Sequence, residues 1–567
     1  MDTDQIVHLL KLTASLLELH DENPFKIKSY SSAVYTLDKT SVDFSKMSVA
    51  ELEKLDGVGK SIAQKIYSII TTGTFDDLET LLANTPAGVL DMLNIKGIGP
   101  KKVRNIWKEL SIENLDDLLQ ACDEGKIAAL KGFGDKTQET IKQGILFSAS
   151  QKGKLFYSEA EFIAINLLKL LQDAGFSEQN MVGELRRKME VVNVIQLLVS
   201  SDFPEKVISF VNENTQLVYN ELQSGPFIWR GEEPNSKCKV EIRICKPKDF
   251  VKELMLQTGS IKHLNQDLNG STSIMQFIKQ NSATSEQEMF DKMGLQFIEP
   301  ELREGEFELE LAKENKLPKL VELTDLKGIL HNHSTYSDGK HTLEQMATYC
   351  KELGYEYLGI CDHSKSAQYA SGLYEEKVKA QHKEIDELNI KLAPFKIFKG
   401  IESDILNDGS LDYDDETLAS FDFIVASIHS NLKMDIQKAT NRLLKAIENP
   451  YTTMLGHPTG RLLLRREGYP IDHKAIIDAC ATHNVVIEIN ASPWRLDLDW
   501  RWVHYAIEKG VKLSINPDAH EMEGYHDMYY GVCVGRKGGL TADMTFNTMS
   551  QKEVETWFLN KKNGIKN

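Results

Sequence analysis

From residue 327 onward, short apolar runs end again and again in histidine or carboxylate. The first reads Leu-Lys-Gly-Ile-Leu-His331-Asn-His333 and continues Ser-Thr-Tyr-Ser-Asp338-Gly. Tyr-Leu-Gly-Ile-Cys-Asp362-His363 and Phe-Lys-Ile-Phe-Lys-Gly-Ile-Glu402 follow. Phe-Ile-Val-Ala-Ser-Ile-His429, Met-Leu-Gly-His457 and Leu-Ser-Ile-Asn-Pro-Asp518-Ala-His520 complete the series. A soluble core gains nothing by ending so many apolar runs this way, whereas a metal cluster does. Imidazoles mixed with carboxylates suit Zn²⁺, Mn²⁺ or Fe²⁺ better than Mg²⁺, which prefers oxygen ligands and keeps its water. Paired cations of this kind lower the pKa of bound water and clamp phosphoryl oxygens. The chemistry expected is therefore metal-assisted.

Residues so far apart need an element that gathers them. The apolar runs alternate with helical patterns such as Leu343–Leu353 and Ala439–Glu448, which predicts parallel βα units. In a closed parallel barrel the C-terminal strand ends converge on one face. Arg461, Arg465 and Arg466 follow His457 closely, and Arg461 is the candidate to grip a substrate phosphate in bidentate fashion. His341, His382, His473, His483, His504 and His526 fall outside the motifs and are left as ordinary histidines.

The opening 150 residues carry a different signal. Three helical hairpins are punctuated by Gly57-Val-Gly59-Lys60, Gly97-Ile-Gly99-Pro-Lys101-Lys102 and Gly132-Phe-Gly134. Glycines let the backbone turn tightly, and the helix that follows offers free N–H groups to a phosphate. Residues 94–110 hold five Lys/Arg against one Glu, so this stretch is basic in a chain of net charge −18. Gly57, Gly59, Lys60, Lys65, Gly97, Gly99, Lys101, Lys102, Gly132 and Gly134 are the expected contacts to DNA backbone, independent of sequence. Between the two regions, Ala160–Leu171 reads as a helix, and Val191–Ser200 and Lys239–Cys245 read as strands.

Composition sets bounds. A chain of 567 residues exceeds a single core, so several domains are expected. Seven cysteines without C-x-x-C spacing read as reduced thiols rather than a disulfide frame or zinc knuckle. The acidic start, with no basic-then-apolar segment, and the lack of any membrane-length apolar run predict a cytoplasmic protein without a membrane partner.

The C-terminal motifs, over residues 327–567, resemble the PHP (polymerase and histidinol phosphatase) phosphoesterases. That resemblance implies a distorted (βα)7 barrel binding up to three divalent ions, Mn²⁺ or Zn²⁺ before Mg²⁺. The implied ligands are His331, His333, Asp338, His363, Glu402, His429, His457, Asp518 and His520. Glu402 would bridge two metals, and Glu402, Asp518 and Arg461 would act on substrate.

Residues 1–318 resemble the family X DNA polymerases. The likeness rests on Glu22-Asn-Pro-Phe-Lys-Ile-Lys-Ser-Tyr30, the hairpins, Gly183-Glu-Leu-Arg186-Arg187, Thr258-Gly-Ser260 and Pro300-Glu-Leu-Arg-Glu-Gly-Glu. It implies a helical DNA-binding domain over 1–85 and a fingers-like hairpin domain over 86–150. A nucleotidyltransferase-like palm over 151–256 and a thumb-like domain over 257–318 complete the polymerase part. With the PHP domain, this is the layout of bacterial family X polymerases. The pattern departs where nucleotidyl transfer should occur: Val194 and Gln196 stand at the two aspartate positions, leaving Glu241 as the third acid. Lys65 matches the Schiff-base lysine of some eukaryotic relatives, although a phosphate contact is the plainer role.

The expectation is a DNA-repair enzyme, a monomer acting on gapped, nicked or 3′-end DNA, whose PHP domain is a metal-dependent 3′–5′ exonuclease and whose polymerase centre is impaired. Removal of 3′-phosphates or abasic sites would use the same ions. The competing expectations are an active polymerase with exonuclease, and a small-molecule phosphatase of the histidinol-phosphate type.

Overall fold

The computed structural model describes residues 3–38, 43–95 and 97–564. Met1, Asp2 and Lys96, the last among the five cations counted above, lie outside them. The chain divides into two compact units, Met1–Gln151 and Lys152–Asn567.

The first unit is helical throughout its described residues, with its own apolar core built around Leu10, Leu16, Ile62, Ile66, Val103 and Ile106. Helices Lys60–Thr72 and Pro100–Leu110 each begin directly after the second glycine of a hairpin motif. In the second of these helices, Val103, Ile106 and Trp107 are buried at helical spacing while Lys101 stays exposed.

The second unit opens with a pair of short strands, β1 (Leu155–Phe156) and β3 (Val191–Val192), and a mixed sheet. That sheet contains β2 (Gln179–Met181), β4 (Val194–Ser200), β5 (Val218–Tyr219), β6 (Ile228–Glu232) and β7 (Lys239–Cys245), in the order β2-β4-β7-β6-β5. β4 and β7 run parallel, with Gln196 opposite Glu241. The single strand expected over Val191–Ser200 is broken at Asn193. Its N–H and side-chain amide both donate to Glu184, at 2.7 and 2.8 Å, and this draws the residue out of the ladder.

The rest of the unit is a nearly closed barrel of parallel strands. They are β8 (Gly328–Ile329), β9 (Tyr357–Ile360), β10 (Lys396–Asp404), β11 (Phe423–Ser427), β12 (Met454–Leu455), β13 (Val486–Asn490) and β14 (Leu513–Asn516), ordered as in sequence. β8 and β14 do not form a continuous ladder. They meet beyond their ends, where Asn332 bridges Ala519 and the His333 N–H donates to the Ala519 carbonyl at 2.8 Å. The helices between strands follow from pattern and caps. Leu343–Glu352 starts in a capping box of Thr342 and Gln345, and it buries Leu343, Met346, Ala347 and Cys350 on one face. Ile436–Glu448 is capped by Asp435, and burying each of its large apolar side chains, such as Leu443, stabilises by about 1.5–3 kcal/mol.

The two barrel ends are unlike. One is filled with apolar side chains, where Phe558 of the helix Gln551–Lys562 stacks on Phe423 with ring centroids 5.0 Å apart and packs with Phe398 and Phe546. The other end is left to histidines and carboxylates. The central sheet is fastened to the barrel by buried polar contacts. Trp500 donates to Glu190 at 3.1 Å, Lys188 to the Tyr529 hydroxyl at 2.9 Å, and Lys537 to the Arg187 carbonyl at 2.8 Å.

Candidate metal centre and nucleic-acid interface

Parity explains part of the convergence. Side chains alternate along a strand, so a residue two positions past an inward-facing one also faces inward. β11 carries Phe423 and Val425 on its inner face and ends at Ser427 before His429, in step; β8 ends at Ile329, which faces the helices, so the alternation is broken before His331 and His333. β14 ends at Asn516 before Asp518 and His520, in step, whereas β12 ends at the helix-facing Leu455 and the positive φ of His457, 21°, breaks the alternation. Glu402 lies within β10, and His363 pairs with it in a parallel bridge.

All nine anticipated positions meet in one polar pocket. Glu402 is central: its oxygens lie 2.9 Å from His363 Nδ1, 3.0 Å from His457 Nε2, 3.1 Å from His429 Nε2 and 3.5 Å from His331 Nε2. Asp518 stands 3.0 Å from His333 Nε2, and Asp338 stands 3.5 Å from His520 Nε2 and 3.7 Å from His363 Nε2. Three sets of donors each lie within 4.8 Å of one another: His333, Asp338, His363 and His520; His331, His333 and Asp518; and His363, Glu402 and His429.

The donors fit cations. His331 Nε2, His333 Nδ1, His363 Nδ1 and Glu402 Oε2 are buried and make no well-formed hydrogen bond. Two ligands about 2.1 Å from a shared ion lie roughly 3.0–3.5 Å apart, close to the spacings seen here. Electrostatics agree. Burial opposes charge on His331, but the carboxylates of Glu488, Asp518 and Glu402 outweigh it and raise the imidazole well above its usual pKa. Burial likewise opposes ionisation of Glu402, yet His429, His331 and His363 hold it well below the carboxylate range. His429 is driven down by burial and lifted further by Glu402 and Asp404, to about 10. His333 goes the other way, to about 3, because burial and the neighbouring His520 and His363 outweigh Asp518. A pocket with so many charge-seeking donors has the composition of a cation site.

A second layer orients these groups, and much of it escaped the sequence reading. Glu488 Oε1 lies 2.7 Å from His331 Nδ1, and its other oxygen accepts the His457 N–H at 2.9 Å. Being acceptor-only, it fixes the His331 tautomer and turns Nε2 toward the centre. Asp404 does the same for His429 at 2.5 Å, and Asn490 donates to Asp518 at 3.0 Å. Asp362 is no donor to the pocket. It accepts from Ser334 N–H, Ser334 Oγ, Ser337 Oγ and Gln381, and so ties the loop that carries Asp338. The signal for Glu488 was present: Val-Val-Ile-Glu488-Ile-Asn490 is an apolar strand with two polar residues of equal parity.

One assignment is corrected. Arg461 does not present its guanidinium to the pocket. It forms an ion pair with Asp499, donates through Nε to the Arg495 carbonyl at 2.9 Å and donates again to the Leu496 carbonyl. The cation that does reach the centre is Arg495, whose Nε lies 3.6 Å from Asp518 Oδ2.

In the first unit the motif glycines divide into two kinds. Gly57 and Gly97 have φ of 71° and 97°, whereas Gly59 and Gly99 are extended caps with nothing within 4 Å of where a Cβ would stand. That open backbone is what close approach to a phosphate needs. The third hairpin differs: Gly132 and Gly134 both have positive φ, and its helix opens on Asp135, whose charge disfavours an anion there. Lys60 and Lys101 are exposed, and Lys102 lies 5.5 Å from the Phe133 ring centroid. Lys65 pairs with Asp77 at 2.6 Å and lies 4.7 Å from the Tyr30 ring centroid. It lines a cavity of about 470 Å³ with Lys26, Lys28, Gly57 and Gly59.

On the central sheet, Gln196 and Glu241 face each other 3.5 Å apart. Glu241 is held by Arg230 at 2.8 Å and Arg243 at 3.0 Å. Arg186 is paired with Glu286, which also binds the buried Arg303, and Arg187 is paired with Glu304.

Fold and site together define a helix–hairpin–helix protein joined to a metal-binding phosphoesterase barrel. Family models agree: a helix-hairpin-helix domain matches residues 1–75, a SAM-like helix-hairpin-helix tandem matches 89–145, and a PHP domain matches 330–492. The chain is 34% identical over 573 residues to the DNA polymerase/3′-5′ exonuclease PolX of Bacillus subtilis (strain 168), covering 98% of this chain and 99% of that one. It belongs to this family, the bacterial PolX proteins of polymerase family X that end in a PHP domain. A probable phosphatase of Thermoanaerobacter sp. (strain X514) is 27% identical over 236 residues, 39% of this chain and 91% of that protein. The probable phosphatase YcdX of Escherichia coli O81 (strain ED1a) is 29% identical over 172 residues, 29% of this chain and 63% of its own length.

Among the described residues, no helix is long and apolar enough to cross a membrane.

Proposed function

We propose that the protein is a divalent-metal-dependent 3′–5′ exonuclease acting in DNA repair, with DNA held by its hairpins and hydrolysed at the barrel. The observation that carries this is the pocket around Glu402, where buried imidazole nitrogens lack hydrogen bonds and face carboxylates at ion-bridging distances. The name of the Bacillus relative supports the same activity.

His331, His333, Asp338, His363, Glu402, His429, His457, Asp518 and His520 would hold up to three ions, Mn²⁺ or Zn²⁺ before Mg²⁺. Bound there, such ions would activate water and neutralise charge on the phosphodiester. The chain's own groups do the rest. Glu488 and Asp404 orient His331 and His429, and Asn490 holds Asp518. Gly59, Gly99, Lys60, Lys101 and Lys102 take DNA backbone. Lys65, tied to Asp77, adds a phosphate contact rather than a Schiff base, so borohydride trapping on an abasic substrate leaves no adduct.

The polymerase centre is impaired. Glu241 is the carboxylate of the Gln196–Glu241 face, and two arginines neutralise it. One such group does not hold two Mg²⁺ ions against their hydration. The chain then divides into a DNA-binding domain (1–85), a fingers-like domain (86–150), a palm-like scaffold (151–256), a thumb-like domain (257–318) and the nuclease (327–567).

The deciding assay is a labelled primer–template incubated with Mn²⁺, with and without dNTPs. Shortening without extension is expected, and His331→Ala or Asp518→Ala should abolish it while DNA affinity stays within about two-fold. Template-directed extension lost on Glu241→Ala would overturn the impaired polymerase. Shortening that survives both alanine changes would overturn the nuclease.

A further inference from the structure

The correction at Arg461 exposes what that residue holds. Gly460–Arg466 follows β12 and Ala491–Asp499 follows β13, so both loops lie at the polar end of the barrel. They are bonded to each other, since the Leu463 N–H donates to the Trp494 carbonyl at 2.7 Å and Arg461 grips the Arg495 and Leu496 carbonyls. Leu464 and Leu496 both adopt left-handed backbone, with φ of 57° and 47°. Apolar residues are seldom held this way unless their neighbours must be aimed.

What these loops present is cationic and aromatic. Arg495 reaches Asp518 at 3.6 Å, beyond a good hydrogen bond. Arg466 donates to the Gly460 carbonyl at 2.7 Å, while its Nε is buried and makes no hydrogen bond. The two guanidiniums stand on loops that the Leu463–Trp494 hydrogen bond joins directly. Like charges so placed are relieved by an anion between them. Beside them stand two large exposed rings. Trp494 is 53% exposed, precedes Arg495 in the chain and has the Arg465 guanidinium 5.4 Å from its ring centroid, and Tyr369 is 67% exposed with its ring 5.9 Å from that of His363. The contact with His363 places the Tyr369 ring beside the same pocket.

We infer that Arg466 and Arg495 seat the phosphate of the 3′-terminal nucleotide while Tyr369 and Trp494 take its base, whatever that base is. This rests on reading the barrel as a DNA 3′-end hydrolase and goes further by naming what it grips. Guanidinium pairs bind phosphate by geometry as well as charge, and stacking on aromatic rings is tolerant of sequence because every base has a π face. A hydrolase for a compact aliphatic phosphomonoester has no use for two exposed rings.

The test uses the full-length protein with Mn²⁺ and two oligonucleotides, one ending in a normal 3′ nucleotide and one in a base-less tetrahydrofuran residue. The wild-type protein should favour the normal end by roughly ten-fold in kcat/KM, the size of one stacking contact. Tyr369→Ala and Trp494→Ala should each erode that preference, and together erase it. Arg466→Gln and Arg495→Gln should raise KM for both ends alike, by about ten-fold, with bound metal unchanged by elemental analysis. A preference that survives both aromatic changes overturns the base contact. Loss of metal in Arg495→Gln assigns that residue to Asp518 alone and overturns the phosphate seat. Failure of the wild-type protein to shorten either oligonucleotide sinks the nuclease reading itself, and this inference with it.

Discussion

Glu488 lies 2.7 Å from His331 Nδ1 although the two are 157 residues apart, and its second oxygen accepts the His457 N–H at 2.9 Å. One fully buried carboxylate thereby orients two neighbours of Glu402. Glu488→Gln keeps the shape and removes the charge. Partners of this kind are worth about 10- to 100-fold in metal affinity. Mn²⁺ titration followed by calorimetry or electron paramagnetic resonance should show a loss in that range, with the fold intact by circular dichroism.

The central sheet offers a converse experiment. Val194 and Gln196 share a face of β4 with Glu241 opposite on β7. The double change Val194→Asp and Gln196→Asp would place three carboxylates there, enough to attract a hard cation. Made in a chain that also carries His331→Ala and Asp518→Ala, it should add a weak Mn²⁺ site that the parent lacks. Paramagnetic broadening near Glu241 would report it.

Glu286 is the hub between Arg186 and the fully buried Arg303. Burial raises its pKa, but its bond to Arg186 and the charges of Arg303 and Arg186 hold it below the ordinary 4.5. A carboxyl depressed in the folded state adds stability at pH above its unfolded value, and that share is lost as pH falls through the folded one. The contribution should be constant from neutrality down to about pH 5 and decline below 4.5. Glu286→Gln should cost about 3–5 kcal/mol at pH 7 by leaving a buried guanidinium unpaired. It should also lose less stability on acidification than the parent, as urea unfolding at pH 7 and pH 4 would show.

The hairpin glycines should respond oppositely. Gly97 has φ of 97°, and a Cβ there would approach the Thr140 side chain to 2.9 Å, so Gly97→Ala should destabilise the first unit by about 1–2 kcal/mol. Gly99 is extended and open, so Gly99→Ala should fold normally and instead weaken binding to gapped DNA several-fold. Thermal melting and fluorescence anisotropy separate the two effects.

The residue series from His331 to His520 announced a metal centre, because donors placed at the ends of successive parallel strands converge on one face of a barrel; its phosphoesterase character came from the resemblance of those motifs to the PHP family. The hairpin motifs were legible as well, since tight turns demand glycine. That β4 carries Val194 and Gln196 and no acid is plain from residue type alone.

Partnership could not be read. Nothing in Gly460-Arg461 tells that its guanidinium turns toward Asp499 and away from the pocket, while Arg495, 34 residues later, turns in. Glu488 lies mid-strand and looks like an interruption until β13 is seen beside β14. Which of several charged side chains fills a given space depends on packing between segments distant in the chain. Sequence thus determined the kind of chemistry and the donors available to it. Tertiary structure decided their orientation and company, because a long side chain has many rotamers and only its neighbours select one.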